Sequence, residues 1–413
     1  MNARLARGET LYSDANKSKR LRYPRIGIYA GAGTSHSWLW FVEIFDRMGF
    51  HDITFLDENA VQHSGLKDLD VLAVSGGDTF AVAEALGAKG ADSLKSFVEE
   101  GGLYIGACAG AYLPMNSSKE HLNLFNFADV KITNLSKTLP KAERMAHKFC
   151  ASYGCDFIFH PVREDVRLRT NGLPPFTGPP FLTAPMYGGP GMIVPENSDV
   201  LAYYDGFTEK TSFLVSKTLA GDTLLGKAAV VRVYKGKGCF YLFGPHFEHP
   251  RFPEANKLVA DAIYWDIRET PETRSSSDQE EEILWGDEAK KLIRDIRREL
   301  SNSRIVATGL EIMPIQWMIG AKIYEPEKIR VFLEAMWPRI RPLEKCSQIR
   351  IQQGMAERIV HYAKDTTALL REMKHQVDQK HETVASATVV FDLLHRLSTA
   401  FFNLYFRNLM FDD

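Results

Sequence analysis

The chain has 413 residues, of which 45% are hydrophobic and 25% charged, with a formal net charge of -2. This composition is that of an ordinary globular protein, and the length leads us to expect two domains or one large domain with an appendage. The near-neutral charge gives no case for nucleic acid or an anionic membrane as the main partner. Five cysteines, an odd count without dense spacing, argue for a reducing compartment and against a disulfide framework. Neither a signal-peptide core at the N-terminus nor an apolar run of the roughly 18–20 residues that span a bilayer is present. The expectation is a cytoplasmic protein.

Residues 1–22 are polar and read as a flexible N-terminal arm. Arg25–Ala30 reads as a first strand, Ser37–Met48 as a helix, Asp52–Leu56 as a second strand and Val71–Ser75 as a third. The third is apolar throughout, as a central parallel strand is. Helices follow over Thr79–Leu86 and Ser93–Glu100. Strands alternating with helices predict right-handed βαβ units around a parallel sheet. The turn Gly31-Ala-Gly33 invites a dinucleotide reading, which fails because His36 stands where the third glycine belongs.

Leu103–Leu113 then reads as a buried strand, a tight turn and the start of a helix. The turn Gly106-Ala-Cys-Ala-Gly110 is G-x-C-x-G, the cysteine form of a nucleophile elbow. Its glycines allow a tight bend, and the following helix directs free N–H groups at the sulfur, which favours thiolate. Residues 115–225 look less regular, with loops at Gly172–Pro180 and a glycine-rich turn at Met186–Met192. Ala228–Tyr234 and Cys239–Phe243 form a β-hairpin signal, and Asn256–Ile267 reads as a helix. Composition shifts at Glu269, so a linker is placed over 269–283. Helical periodicity follows at 286–303, 326–337, 343–376 and 382–410, which predicts a bundle over 284–413. The stripe Val389, Val390, Leu393, Leu394, Leu397, Phe401, Leu404 and Leu409 is read as bundle core or a dimer surface, not a membrane anchor.

A cysteine nucleophile needs a base within reach and a group that orients the base. His246 and Glu248 follow the last strand of the sheet region, where open α/β folds build their sites. In extended chain, residues two apart share a face, so Glu248 is expected to orient His246. Ser75-Gly-Gly-Asp78 follows the third strand, and its amides, with that of Ala109, are candidates for an oxyanion hole. Cys150, Cys155, His147 and His160 do not fit zinc spacing, and no metal or cofactor is implied. His249 does not begin a second H-x-E, because residue 251 is arginine.

These motifs resemble the class I glutamine amidotransferase superfamily. Gly106–Tyr112, Tyr187-Gly-Gly-Pro190 and Gly244-Pro-His246 are most similar to the domain found at the N-terminus of some biotin–protein ligases. The resemblance covers residues 23–268. It implies a flavodoxin-like α/β fold, a mostly parallel sheet with helices on both faces, followed here by an all-α C-terminal domain. It also implies a Cys108–His246–Glu248 triad, an oxyanion hole at Gly77 and Ala109, and substrate contacts from Gly76, Asp78, Tyr112, Tyr187, Gly188 and Gly189. Typical glutaminase domains have glutamine where this chain has Tyr112, which leaves open whether free glutamine is the substrate. No biotin-ligase catalytic domain follows. The expected activity is amide or acyl hydrolysis or transfer on a small-molecule substrate, through a thioester. The alternatives are a ligand-sensing protein that keeps the pocket, with a protein partner or a second copy at the C-terminal helices, and a small-peptide hydrolase.

Overall fold

A computed structural model describes residues 23–148, 156–195, 198–267, 281–320 and 322–409. The chain divides into two compact units, Met1–Phe50 with Leu56–Pro271 and His51–Phe55 with Glu272–Asp413.

The N-terminal part alternates strand and helix. It runs β1 (Ile26–Tyr29), α1 (Trp38–Met48), β2 (Ile53–Leu56), α2 (Glu58–Gln62) and β3 (Val71–Val74). It continues through α3 (Thr79–Glu100), β4 (Leu103–Ala107) and the single turn α4 (Ala109–Tyr112). Every residue of β1, β3 and β4 is buried, which is why these strands are unbroken apolar runs. Gly49 ends α1 with φ 79°, a left-handed cap that suits glycine. The two helices predicted over 79–100 form one run bent at Gly87, whose φ of 56° and ψ of -164° leave the helical region.

The middle of the first unit is more regular than its composition suggests. It holds β5 (Lys131–Ile132), α5 (Lys141–Lys148), β6 (Val162–Thr170), β7 (Phe181–Tyr187) and β8 (Met192–Ile193). Then come β9 (Asp199–Phe207), β10 (Ser212–Phe213), α6 (Lys217–Leu224), the hairpin β11 (Ala228–Lys235) and β12 (Gly238–Phe243), and α7 (Pro253–Asp266). The sheet order is β10-β6-β9-β11-β12-β4-β3-β1, with β7 on β6 and β8 on β11. Pairing is parallel from β1 through β3 and β4 to β12, and antiparallel beyond β12. The strand signal of β6 was hidden by charge: buried Val166, Leu168 and Thr170 alternate with exposed Arg167 and Arg169.

The second unit is mainly helical. Its elements after residue 280 are β13 (Glu281–Trp285), α8 (Gly286–Glu311), β14 (Trp317–Ile319), β15 (Lys322–Tyr324) and α9 (Pro326–Met336). They continue with α10 (Ile340–Leu343), β16 (Gln348–Gln352), α11 (Met355–Asp378) and α12 (Val384–Leu409). The helix expected from 343 begins only at Met355, because Gln348–Gln352 pairs antiparallel with β13. Those strands and the β14–β15 ribbon make the unit helical rather than all-helical. Most of the α12 stripe, including Val390, Leu394, Leu397 and Phe401, is buried, whereas Val389 is half exposed. The predicted linker lies mostly outside the described residues.

Candidate active site

The central strands deliver three pieces to one end of the sheet. β4 lies between β3 and β12, with Gly106 opposite Val74 on one side and Leu242 on the other. Both pairings are parallel, so the loops that follow the three strands emerge together. They are Ser75–Asp78, Cys108 with α4, and Gly244–His249. The Cys108 N–H donates to Phe243 O at 3.0 Å, and the Gly110 N–H to Ser75 O at 3.2 Å. Cys108 has φ 52° and ψ -109°, a conformation that side-chain-bearing residues rarely hold. A side chain at Gly106 would strike the Gly110 carbonyl, and one at Gly110 would strike the Val74 carbonyl. Both elbow glycines are therefore required by close backbone approach. The helix after the cysteine is a single turn, so its dipole is weaker than the sequence reading supposed.

His246 and Glu248 meet Cys108 from the β12 side. The ring is hydrogen-bonded to the Cys108 side chain. His246 Nδ1 lies 2.7 Å from Glu248 Oε1, so Nε2 is the nitrogen left for the sulfur. His246 is 2% exposed, Glu248 0% and Cys108 6%, so the three interact away from bulk water. Burial works against a charged imidazole, but Glu248 and Cys108, as charges and hydrogen-bond partners, raise the His246 pKa to about 10. The Ser75 hydroxyl donates to Glu248 Oε1 at 2.9 Å and sits 2.8 Å from Ser37 Oγ. The His246 N–H donates to Pro185 O at 2.8 Å, and Asn256 Nδ2 donates to the Phe247 and His249 carbonyls. The chain turns between His246 and His249, closed by the His249 N–H on His246 O at 3.1 Å. The His246–Glu248 pair is thus made by a turn, not by the extended alternation expected from sequence.

One oxyanion-hole candidate, Gly77, follows the neighbouring strand β3, and the other, Ala109, follows the sulfur-bearing residue itself. Gly77 bridges Thr34, with bonds from the Ser35 N–H to Gly76 O and from the Asp78 N–H to Gly33 O. In such a bridge the flanking residues make the bonds, so the Gly77 N–H points away from Thr34. A side chain at Gly77 would collide with Gly33 O, and one at Gly76 would come 2.8 Å from the His246 ring. Ala109 opens α4, where an N–H has no partner within the helix. Asp78 is occupied as the N-cap of α3, accepting from the Phe80 and Ala81 N–H groups at 3.0 and 3.3 Å.

Tyr187, Gly188 and Gly189 form a second wall. The Tyr187 carbonyl is 3.7 Å from Cys108 Sγ, and its ring centroid is 5.7 Å from that of His246. Its hydroxyl is 3.1 Å from Glu164 Oε2, and burial and that carboxylate push the phenol up to about 12. Gly188 has φ 98°, and a side chain there would strike the His160 ring. The Tyr112 hydroxyl donates to Gly188 O at 3.0 Å and accepts from Asn134 Nδ2 at 2.7 Å. Tyr112 therefore pins this wall instead of projecting a free group into the cleft.

Residues 25–122 match the family described as biotin-protein ligase, N terminal. The likeness read from the motifs stands over this segment, which contains the elbow and Tyr112. No curated protein matches the chain at a significant level. Solved structures with some similarity include a cytoplasmic protein of Salmonella typhimurium, 14% identical, covering 59% of this chain and 100% of that one at a TM-score of 0.36. A glutamine amidotransferase of Thermotoga maritima is 10% identical, covers 77% of this chain and 94% of its own, and scores 0.34. A β-galactosidase of Bacillus circulans is 10% identical over 64% of this chain and 35% of its own, at 0.33. Scores at this level carry nothing about activity.

The biotin–protein ligase N-terminal-like segment supplies only part of the site, since His246 and Glu248 lie beyond it. Sequence reasoning named Cys108, His246 and Glu248, which the fold brings together. It gave no side-chain role to Ser75, Trp40, His249, Glu164 or Asn256. Trp40 sets its ring 5.2 Å from His246 and 4.4 Å from His249. Burial, Arg251 and His246 lower the His249 pKa to about 4, so this ring is neutral at pH 7. Its Nδ1 accepts from the Arg251 N–H at 3.3 Å, which leaves the ring proton on Nε2. Glu164 has φ 65° inside β6, a strain that sequence does not signal. Cys150 and Cys155 lie outside the described residues. No group of three or more metal-binding side chains occurs among the described residues, and no helix there is long and apolar enough to cross a membrane.

Proposed function

We propose that this chain is a cysteine-dependent amidohydrolase or amidotransferase-like enzyme with a Cys108–His246–Glu248 triad. One observation carries the reading: a strained elbow cysteine bonds a buried histidine whose other nitrogen is held by a buried carboxylate. That arrangement favours a thiolate beside an imidazolium. The thiolate attacks an amide or related acyl carbon, and the Gly77 and Ala109 N–H groups receive the oxyanion. His246 gives its proton to the leaving nitrogen as the C–N bond breaks, which leaves a thioester on Cys108. Water then attacks, His246 takes its proton, and breaking the C–S bond restores the thiolate. Glu248 keeps the imidazole in one tautomer throughout.

The substrate is a small-molecule amide or acyl compound, and the cysteine usage favours a reducing, cytoplasmic setting. The test is mass-spectrometric labelling of the full chain with an electrophilic glutamine analogue, beside iodoacetamide. Selective modification of Cys108 by either reagent, lost in His246→Ala, supports an activated thiol. Success of iodoacetamide alone points to an acyl substrate other than glutamine. No preferential reaction at Cys108 would overturn the enzyme reading in favour of ligand sensing.

A further inference from the structure

Beyond His249 the first unit holds a cavity of about 320 Å³ that the triad does not use. Arg167 of β6, Phe181 and Thr183 of β7, and Arg251, Phe252 and Glu254 at the start of α7 line it. A run of rings joins it to the site. Phe252 lies 5.4 Å from His249, His249 4.4 Å from Trp40, and Trp40 5.2 Å from His246. β7 joins them as well, because Thr183 and Tyr187 fall on the same side of the strand. Four residues of strand span about 13 Å, so the cavity and Cys108 are close enough for one extended ligand to occupy both.

The charges of the cavity are not all paired. Arg167 Nε donates to Asp205 Oδ2 at 2.7 Å, which offsets that cation. Arg251 and Glu254 are exposed, and neither has an ion-pair partner among the described residues. The field of Arg251 reaches Tyr187 and His249, which places its charge beside the site as well as in the cavity. One open cation and one open carboxylate, three residues apart with aromatic rings beside them, match a ligand that carries both charges itself.

We propose that this cavity binds the α-amino-acid end of the substrate, with Arg251 taking its carboxylate, Glu254 its ammonium group, and Phe181 and Phe252 the intervening chain. The assignment rests on the amide-cleaving reading of Cys108 and gives it a substrate class. That class is an amide whose free amino-acid end lies several bonds from the scissile carbonyl. Free glutamine is too short to reach from Cys108 into the cavity, in keeping with Tyr112 at the position where glutaminases hold it.

Three alkylating probes test the assignment on the full chain. Nε-bromoacetyl-lysine carries both charges, N-bromoacetyl-cadaverine lacks the carboxylate, and bromoacetamidohexanoic acid lacks the amine. Rates of Cys108 modification are read by mass spectrometry. The lysine probe is expected to react about tenfold faster than either relative, the size of one charge-assisted hydrogen bond. Arg251→Ala erases its lead over the cadaverine probe, and Glu254→Gln erases its lead over the acid. Arg251→Lys retains part of the lead. Equal rates for the three probes, or leads that survive both substitutions, overturn the proposal. Failure of the amide-cleaving reading looks different: all three probes then react no faster than with a thiol in the unfolded chain, and His246→Ala changes nothing.

Discussion

Replacing Glu248 by glutamine tests how the triad is held. The substitution keeps the shape and an acceptor oxygen and removes only the charge. Glu248 is fully buried and meets His246 Nδ1 at 2.7 Å and Ser75 Oγ at 2.9 Å. A hydrogen bond with a charged partner contributes about 1.5–3 kcal/mol, and one pKa unit corresponds to about 1.4 kcal/mol. Glu248→Gln therefore lowers the pKa of His246 from about 10 by roughly one to two units. The assay is an NMR titration of histidine-labelled protein, with the His246 signal assigned by its loss in His246→Gln. Circular dichroism checks that the variant is folded. A His246 midpoint that stays put in a folded Glu248→Gln protein refutes the account, because Cys108 would then be holding the ring's proton against burial without help from the carboxylate.

The same shift predicts a pH dependence of stability. The folded His246 holds its proton up to about 10, whereas the unfolded one releases it near 6.5. Its contribution is fully present below pH 6.5 and is lost as pH rises toward 10, so the urea midpoint should fall more steeply over that window in the wild type than in His246→Gln. Strain at Cys108, with φ 52°, predicts that Cys108→Gly melts higher than Cys108→Ala, by the equivalent of about 1 kcal/mol. Equal melting temperatures would count against stored strain. Tyr112→Phe removes a hydroxyl that satisfies both Gly188 O and Asn134 Nδ2, and should destabilise the protein by about 1–3 kcal/mol in urea unfolding. A loss under about 0.5 kcal/mol would show that Tyr112 does not pin the second wall.

The chemistry of single segments was legible in the sequence. G-x-C-x-G around Cys108 is readable because only glycine tolerates the backbone approaches at Gly106 and Gly110, so the motif is a local steric record. The central strands were readable because both their faces are buried, which forces unbroken apolar runs. β6 was not, because its outward residues are arginines and Glu164 interrupts its alternation. The strand Gln348–Gln352 was missed because its partner β13 fell in the charged stretch taken as the end of a linker, and pairing across that distance leaves no local trace.

What the sequence by itself determined was which residues are chemically able to act: a cysteine on an elbow, a histidine with a carboxylate two residues on, and glycines before them. Their meeting was decided by the tertiary structure. Residues 108 and 246 come together only because β4 pairs parallel with β12 and both loops leave the same edge of the sheet. The turn that joins His246 to Glu248, the serines behind that carboxylate, and the cavity beside His249 all depend on contacts between distant segments. Local pattern records what one stretch of backbone tolerates. Distances between stretches are set by the registry of the sheet, which no single stretch encodes.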